Sequence, residues 1–95
     1  MHILRIEHPV RDFDAWKKAF ESDPVGRERS GVRRYTISRL TGASNHVTVD
    51  LEFDSFKEAE TVRAALQELW PRVEAEGLIG SPQAKVLEAV ERKEY

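Results

Sequence analysis

The chain has 95 residues, 40% hydrophobic and 34% charged, with a net charge of −2 and no cysteine. This length makes one domain. The lack of cysteine excludes disulfides, thiolate metal sites and a cysteine nucleophile, and the charge balance argues against a general nucleic-acid binder.

Met1-His2-Ile3-Leu4-Arg5-Ile6-Glu7 is too interrupted by charge for a signal peptide or a membrane span, so a cytoplasmic location is expected. Residues 2–8 alternate, with Leu4 and Ile6 on one face and Arg5 and Glu7 on the other, which predicts a half-buried strand ended by Pro9. Asp12 can cap a helix bearing Phe13, Trp16 and Phe20 at spacings of three and four. Asp23-Pro24 then suits the start of a short helical segment, with Gly31 as its stop. Residues 32–40 predict a strand, Thr41-Gly42-Ala43-Ser44-Asn45 a turn, and residues 46–53 a second strand that closes a hairpin.

Ser55-Phe56-Lys57-Glu58 reads as a capping box, and Phe56, Ala59, Val62, Leu66, Leu69 and Val73 form the apolar stripe of a helix. Pro71 lies inside that stripe and predicts either a kink or the start of a second short helix. After the turn at Gly80-Ser81-Pro82, residues 83–90 predict a last strand. Residues 1–90 thus form one domain, and residues 91–95 a polar C-terminal tail.

Strand, helix, strand, strand, helix, strand is the ferredoxin-like βαββαβ pattern, an α+β fold. Its antiparallel four-stranded sheet has order 4-1-3-2 with both helices on one face. Leu4, Ile6, Val47, Val49, Leu51 and Phe53 should lie under the helices. The other face carries Arg5, Glu7, Thr48, Asp50 and Glu52, with Arg5 able to pair with Asp50 or Glu52. That face is either solvated, as antiparallel sheets allow, or covered by a second copy. A domain this small buries only roughly 60–65% of the surface its unfolded chain exposes, so a partner subunit would add stability.

The stretch His8-Pro9-Val10-Arg11-Asp12-Phe13-Asp14-Ala15-Trp16-Lys17 resembles a joint found in antibiotic-biosynthesis-monooxygenase-like small proteins of the dimeric α+β barrel superfamily. There it links the first strand to the first helix. The resemblance continues through Gly31-Val32, Tyr35, Ile37, Arg39, Asn45, Glu52-Phe53-Asp54 and the loop from Gly77 to Pro82. It implies a homodimer formed through the open sheet faces, with a small-molecule pocket between helices and sheet in each subunit. Relatives of this kind include cofactor-independent monooxygenases of polycyclic aromatics, haem-degrading enzymes and muconolactone-isomerase-like proteins. The oxygenases tend to use a pocket asparagine, tryptophan and sometimes histidine. Asn45 falls in the predicted turn and is therefore not carried over as the asparagine, and the haem-degrading pattern is not matched.

His8 shares the parity of Leu4 and Ile6 and should point toward the helices. There it is either an acid–base group beside an apolar pocket or a strand-end histidine bonded to the helix start near Asp12. His46 has the opposite parity, and two histidines fall short of the three or four converging ligands of a metal site, so no metal is expected. Trp16, Trp70 and Phe13 are either core residues or the walls of a ligand pocket. Tyr35 and Arg39 share a parity on the second strand. Tyr35 is a core filler or a pocket phenol, and Arg39 an edge salt bridge or a cationic anchor. Arg27, Arg29, Arg33 and Arg34 read as a solvated basic patch balanced by Glu28. The open face lacks the aromatic pair of RNA-binding sheets, which excludes nucleic acid as the expected partner.

Two functions follow. One is a cofactor-independent monooxygenase or isomerase acting on a small hydrophobic or aromatic metabolite. His8 would be its acid or base, Tyr35 and Arg39 its polar anchors, and Trp16 and Trp70 its walls. The alternative is a non-catalytic dimer that binds a metabolite or serves as an accessory subunit.

Overall fold

The alternation at the N-terminus becomes β1, His2–Pro9, in a computed structural model that describes residues 1–95. It is followed by α1 (Phe13–Glu21), β2 (Arg34–Leu40), β3 (Ala43–Phe53), α2 (Phe56–Ala75) and β4 (Gln83–Glu88). The strands form one antiparallel sheet of order β2-β3-β1-β4, the predicted order read from the opposite edge. No helix is long and apolar enough to cross a membrane.

The period-two pattern fixes which side chains are buried, because successive residues of a strand face opposite sides. Leu4, Ile6, Val47, Val49, Leu51 and Phe53 are all buried against Trp16 of α1 and Ala59 and Val62 of α2. On the other face Arg5 makes two hydrogen bonds of 2.9 Å to Asp50, directly across from it. Glu52 instead accepts from Arg34 on β2, its own cross-strand neighbour, at 2.9 Å.

Several local expectations are corrected. No helix follows Pro24; residues 24–31 form consecutive turns. A helix N-cap needs extended backbone, whereas Asp23 is left-handed at φ 55°, and Gly26, also left-handed at φ 60°, would break a helix there. The hairpin turn is shorter than predicted, so Asn45 lies inside β3. The last strand ends at Glu88 rather than at residue 90. Asp12 occupies the N-cap of α1 with extended backbone, but its carboxylate makes no cap hydrogen bond.

Ser55 caps α2 as read: its hydroxyl oxygen accepts from the Glu58 amide at 3.2 Å. The Glu58 carboxylate takes the serine hydroxyl's own proton at 3.0 Å instead of the N-cap amide. Phe56 leaves the core stripe and is exposed, because the first residue of α2 meets the sheet's end, where its ring lies edge-on to His2. Helix α2 runs unbroken through Pro71, which excludes a separate helix starting there.

Candidate functional site

The parity of β1 carries His8 to the helix side of the sheet, where it is the one buried polar residue of the chain. Its Nδ1 lies 3.2 Å from the Pro9 carbonyl oxygen, not near Asp12. A carbonyl can only accept, so in the neutral ring Nδ1 carries the proton and Nε2 keeps a free lone pair. Nε2 has no hydrogen-bond partner in the protein. Burial pushes the imidazole below its ordinary pKa of 6.5, the Pro9 carbonyl opposes that shift, and His46 adds to it. His8 is therefore a neutral imidazole at pH 7 with one ring nitrogen available. The same Pro9 oxygen also accepts the Gly80 amide at 3.0 Å.

Trp16 of α1 meets the His8 ring edge-on, with centroids 5.6 Å apart. Phe20 continues the aromatic row at 5.4 Å from Trp16, and Tyr35 of β2 packs on Phe20 at 5.1 Å. Beneath this row lies a cavity of about 100 Å³, bounded by 15 residues of which 12 are hydrophobic. His8, Trp16 and Phe20 form one side, and Leu66, Leu69 and Trp70 of α2 contribute to the other. The volume is below the roughly 150 Å³ that admits a benzene ring in another protein and far below the ~300–1,000 Å³ of drug-sized pockets. Any larger ligand needs the half-buried wall of α2 to move outward or must extend through the mouth.

Of the candidates read from sequence, His8, Trp16 and Trp70 are brought together around the cavity. Phe13 stands behind Trp16 at 5.7 Å and does not reach the cavity. Tyr35 is exposed and separated from the cavity by Phe20. Arg39 makes no ion pair at the edge; its guanidinium lies 4.7 Å above the Phe13 ring. His46, half-buried, stands across from Pro9 on the opposite parity from His8, and no group of three or more metal-ligating side chains exists.

No protein-family model and no curated protein matches this sequence. Solved structures do match in three dimensions. A proposed antibiotic biosynthesis monooxygenase from Deinococcus radiodurans superposes with TM-score 0.69 at 12% identity, over 100% of this chain and 98% of that one. A variant of SnoaB, a cofactor-independent oxygenase from Streptomyces nogalater, gives 0.70 at 17% identity, over 96% and 94% of the two chains. The chain has the antibiotic-biosynthesis-monooxygenase fold. A dimeric ferredoxin-like protein from an uncultured marine organism is also similar, with TM-score 0.65, 10% identity and all of both chains covered.

Within that fold, one residue of this chain's cavity lies where its sequence pattern does not place it. The sequence pattern groups Arg27 with a solvated patch balanced by Glu28, but the four arginines separate. Arg33 pairs with Asp54, Arg34 pairs with Glu52, and Arg29 is exposed. Arg27 folds inward to line the cavity, with its guanidinium 3.9 Å above the Phe20 ring. The left-handed turns at Asp23 and Gly26 aim it there. Hydrophobic period carries no trace of such turns. The one usable signal was Asp23 four residues earlier, whose carboxylate accepts the Arg27 backbone amide at 2.8 Å.

Proposed function

We propose that the protein is a cytoplasmic homodimer whose subunits each bind a small hydrophobic or aromatic molecule, and that His8 acts on it as a cofactor-independent monooxygenase-like base. The observation that carries this reading is the neutral His8 ring, buried at an apolar cavity with Nε2 unclaimed by the protein. The similarity in fold to a cofactor-independent oxygenase supports it.

In this chemistry Nε2 takes a proton from an activated CH₂ group, and the resulting carbanion adds dioxygen to give a peroxide. The O–O bond breaks as the second hydrogen leaves the same carbon, yielding a carbonyl and water. Two hydrogens and one dioxygen are consumed, so no external reductant is required. Apolar walls from Trp16 and Trp70 hold a planar ring and exclude water, which keeps the imidazole neutral and the base available. Tyr35 and Arg39 stand outside the cavity, and their proposed role is limited to a substituent projecting from it.

The non-catalytic alternative is favoured by one observation: the cavity offers few polar groups, chiefly His8 and Arg27. Oxygen uptake with anthrones and planar phenols separates the two readings. The enzyme reading expects turnover that falls by about 10²-fold or more in His8→Gln, while ligand binding measured by tryptophan fluorescence changes only a few-fold. Binding by the unaltered protein with neither oxygen uptake nor isomerisation would leave the metabolite-binding reading in its place.

A further inference from the structure

The cavity is apolar except at two points, and the second is unusual. The Arg27 side chain is only 15% exposed. A cation this enclosed ordinarily has its donors satisfied. Its Nη1 donates to the Phe20 carbonyl at 2.7 Å, a neutral acceptor. Asp23 pairs with Nη1 at 3.5 Å, too long for a hydrogen bond of full strength, while its Oδ1 accepts the Arg27 backbone amide at 2.8 Å. Nε and Nη2 have no acceptor in the protein and reach solvent at the cavity mouth, whereas Arg33 and Arg34 nearby are each hydrogen-bonded to a carboxylate.

The plane of the guanidinium is fixed by aromatic rings, Phe20 at 3.9 Å and Tyr35 at 5.1 Å. Such stacking holds the fork rigid without using its N–H groups. Arg27 lines both the apolar cavity and an adjoining open depression that includes Asp23, Glu28 and Tyr35. It therefore stands at the boundary between them.

We propose that the ligand is an aromatic carboxylic acid, its ring in the cavity beside His8 and Trp16 and its carboxylate on the free N–H groups of Arg27. This rests on the small-molecule reading above and narrows its substrate class. A planar carboxylate matches a guanidinium fork. A polyanion such as a nucleotide is disfavoured, because Asp23 and Glu28 line the same depression and the neighbouring arginines are occupied. The cavity of about 100 Å³ takes a single small ring only as the half-buried α2 wall gives way, and it leaves the charged group at the mouth.

Benzoate and benzamide test this, since they differ little in shape and differ in charge. Calorimetric titration of the intact protein at pH 7 should show benzoate binding about tenfold tighter than benzamide, the scale of one charge-assisted hydrogen bond. Arg27→Gln should abolish that preference, weakening benzoate about tenfold more than benzamide, and Arg27→Lys should restore part of it. A thermal melt of each variant reports folding, and the comparison within the unaltered protein stands even if a variant unfolds. Equal affinities of that protein for the two ligands overturn the assignment of Arg27 but keep the small-molecule reading. Binding of neither overturns both.

Discussion

One hydrogen bond to a backbone carbonyl and one aromatic edge hold the His8 imidazole in place, and burial, acting against the pull of that carbonyl, favours the neutral ring. Burial depresses its pKa below 6.5. Between 6.5 and the folded-state value, the unfolded chain binds a proton that the folded chain refuses. Stability therefore falls as pH drops through that window and levels off below the folded pKa. His8→Gln removes this contribution, so urea midpoints of the variant between pH 7.5 and 5 should fall less steeply than those of the unaltered protein. Parallel slopes would mean that the ring is not held neutral. Any activity that uses Nε2 as a base should persist below pH 6.5 for the same reason. The position of His8 was legible in sequence, because its parity follows from Leu4 and Ile6. Its partner was not, since any strand-end acceptor fits the same spacing.

Helix α2 is buried at its first turns, where Ala59 and Val62 meet the sheet, while Leu66, Leu69, Trp70 and Val73 further along border the cavity. Pro71 sits in that second half. It has no N–H, so the Gln67 carbonyl loses its helical donor, and the wall of the cavity is the weaker part of the helix. Pro71→Ala should stabilise the fold by about 1–3 kcal/mol, read from urea unfolding. It should also slow ligand association in stopped-flow tryptophan fluorescence, because a stiffer wall opens less often. An unchanged association rate would place the ligand's route elsewhere. The elements that sequence resolved best were those with a strict period, such as β3 from Val47 to Phe53. The segment from Asp23 to Gly31 departs from its sequence expectation because left-handed residues, rather than a hydrophobic pattern, direct it.

The molecule is a slab with extents of 36 × 31 × 19 Å, one helix layer on one sheet. Only 13 of 95 residues are buried, and the accessible surface is 6465 Å². A monomer of this mass ordinarily exposes about 5,600 Å². The excess is close to the ~800 Å² that one partner contributes to a standard interface. Residues 89–95, all exposed, contribute to that excess, so the proposed second copy on the open sheet face rests on that face having no helix of its own to cover it. The protein should sediment as a dimer at micromolar concentration, with a melting temperature that rises with concentration. Asp50→Lys places two cations side by side with Arg5 and should shift the population toward monomer. A monomer at micromolar concentration in the unaltered protein would overturn this face as an interface. The division of charge between the two faces was legible in the sequence; what covers the charged face was not, because alternation looks the same against water or a twin sheet.

The Pro9 carbonyl accepts from both His8 and Gly80. A methyl group at position 80 would come within 2.5 Å of the Pro9 ring. Gly80 is absent from the cavity lining, yet Gly80→Ala would push the proline aside and weaken the acceptor that keeps the imidazole proton on Nδ1. The proton would then spend more time on Nε2, which a shift in the ring's ¹⁵N resonances would reveal. Gly80 thus acts as the rest against which the tautomer is set, and a change there would alter reactivity without touching a ligand.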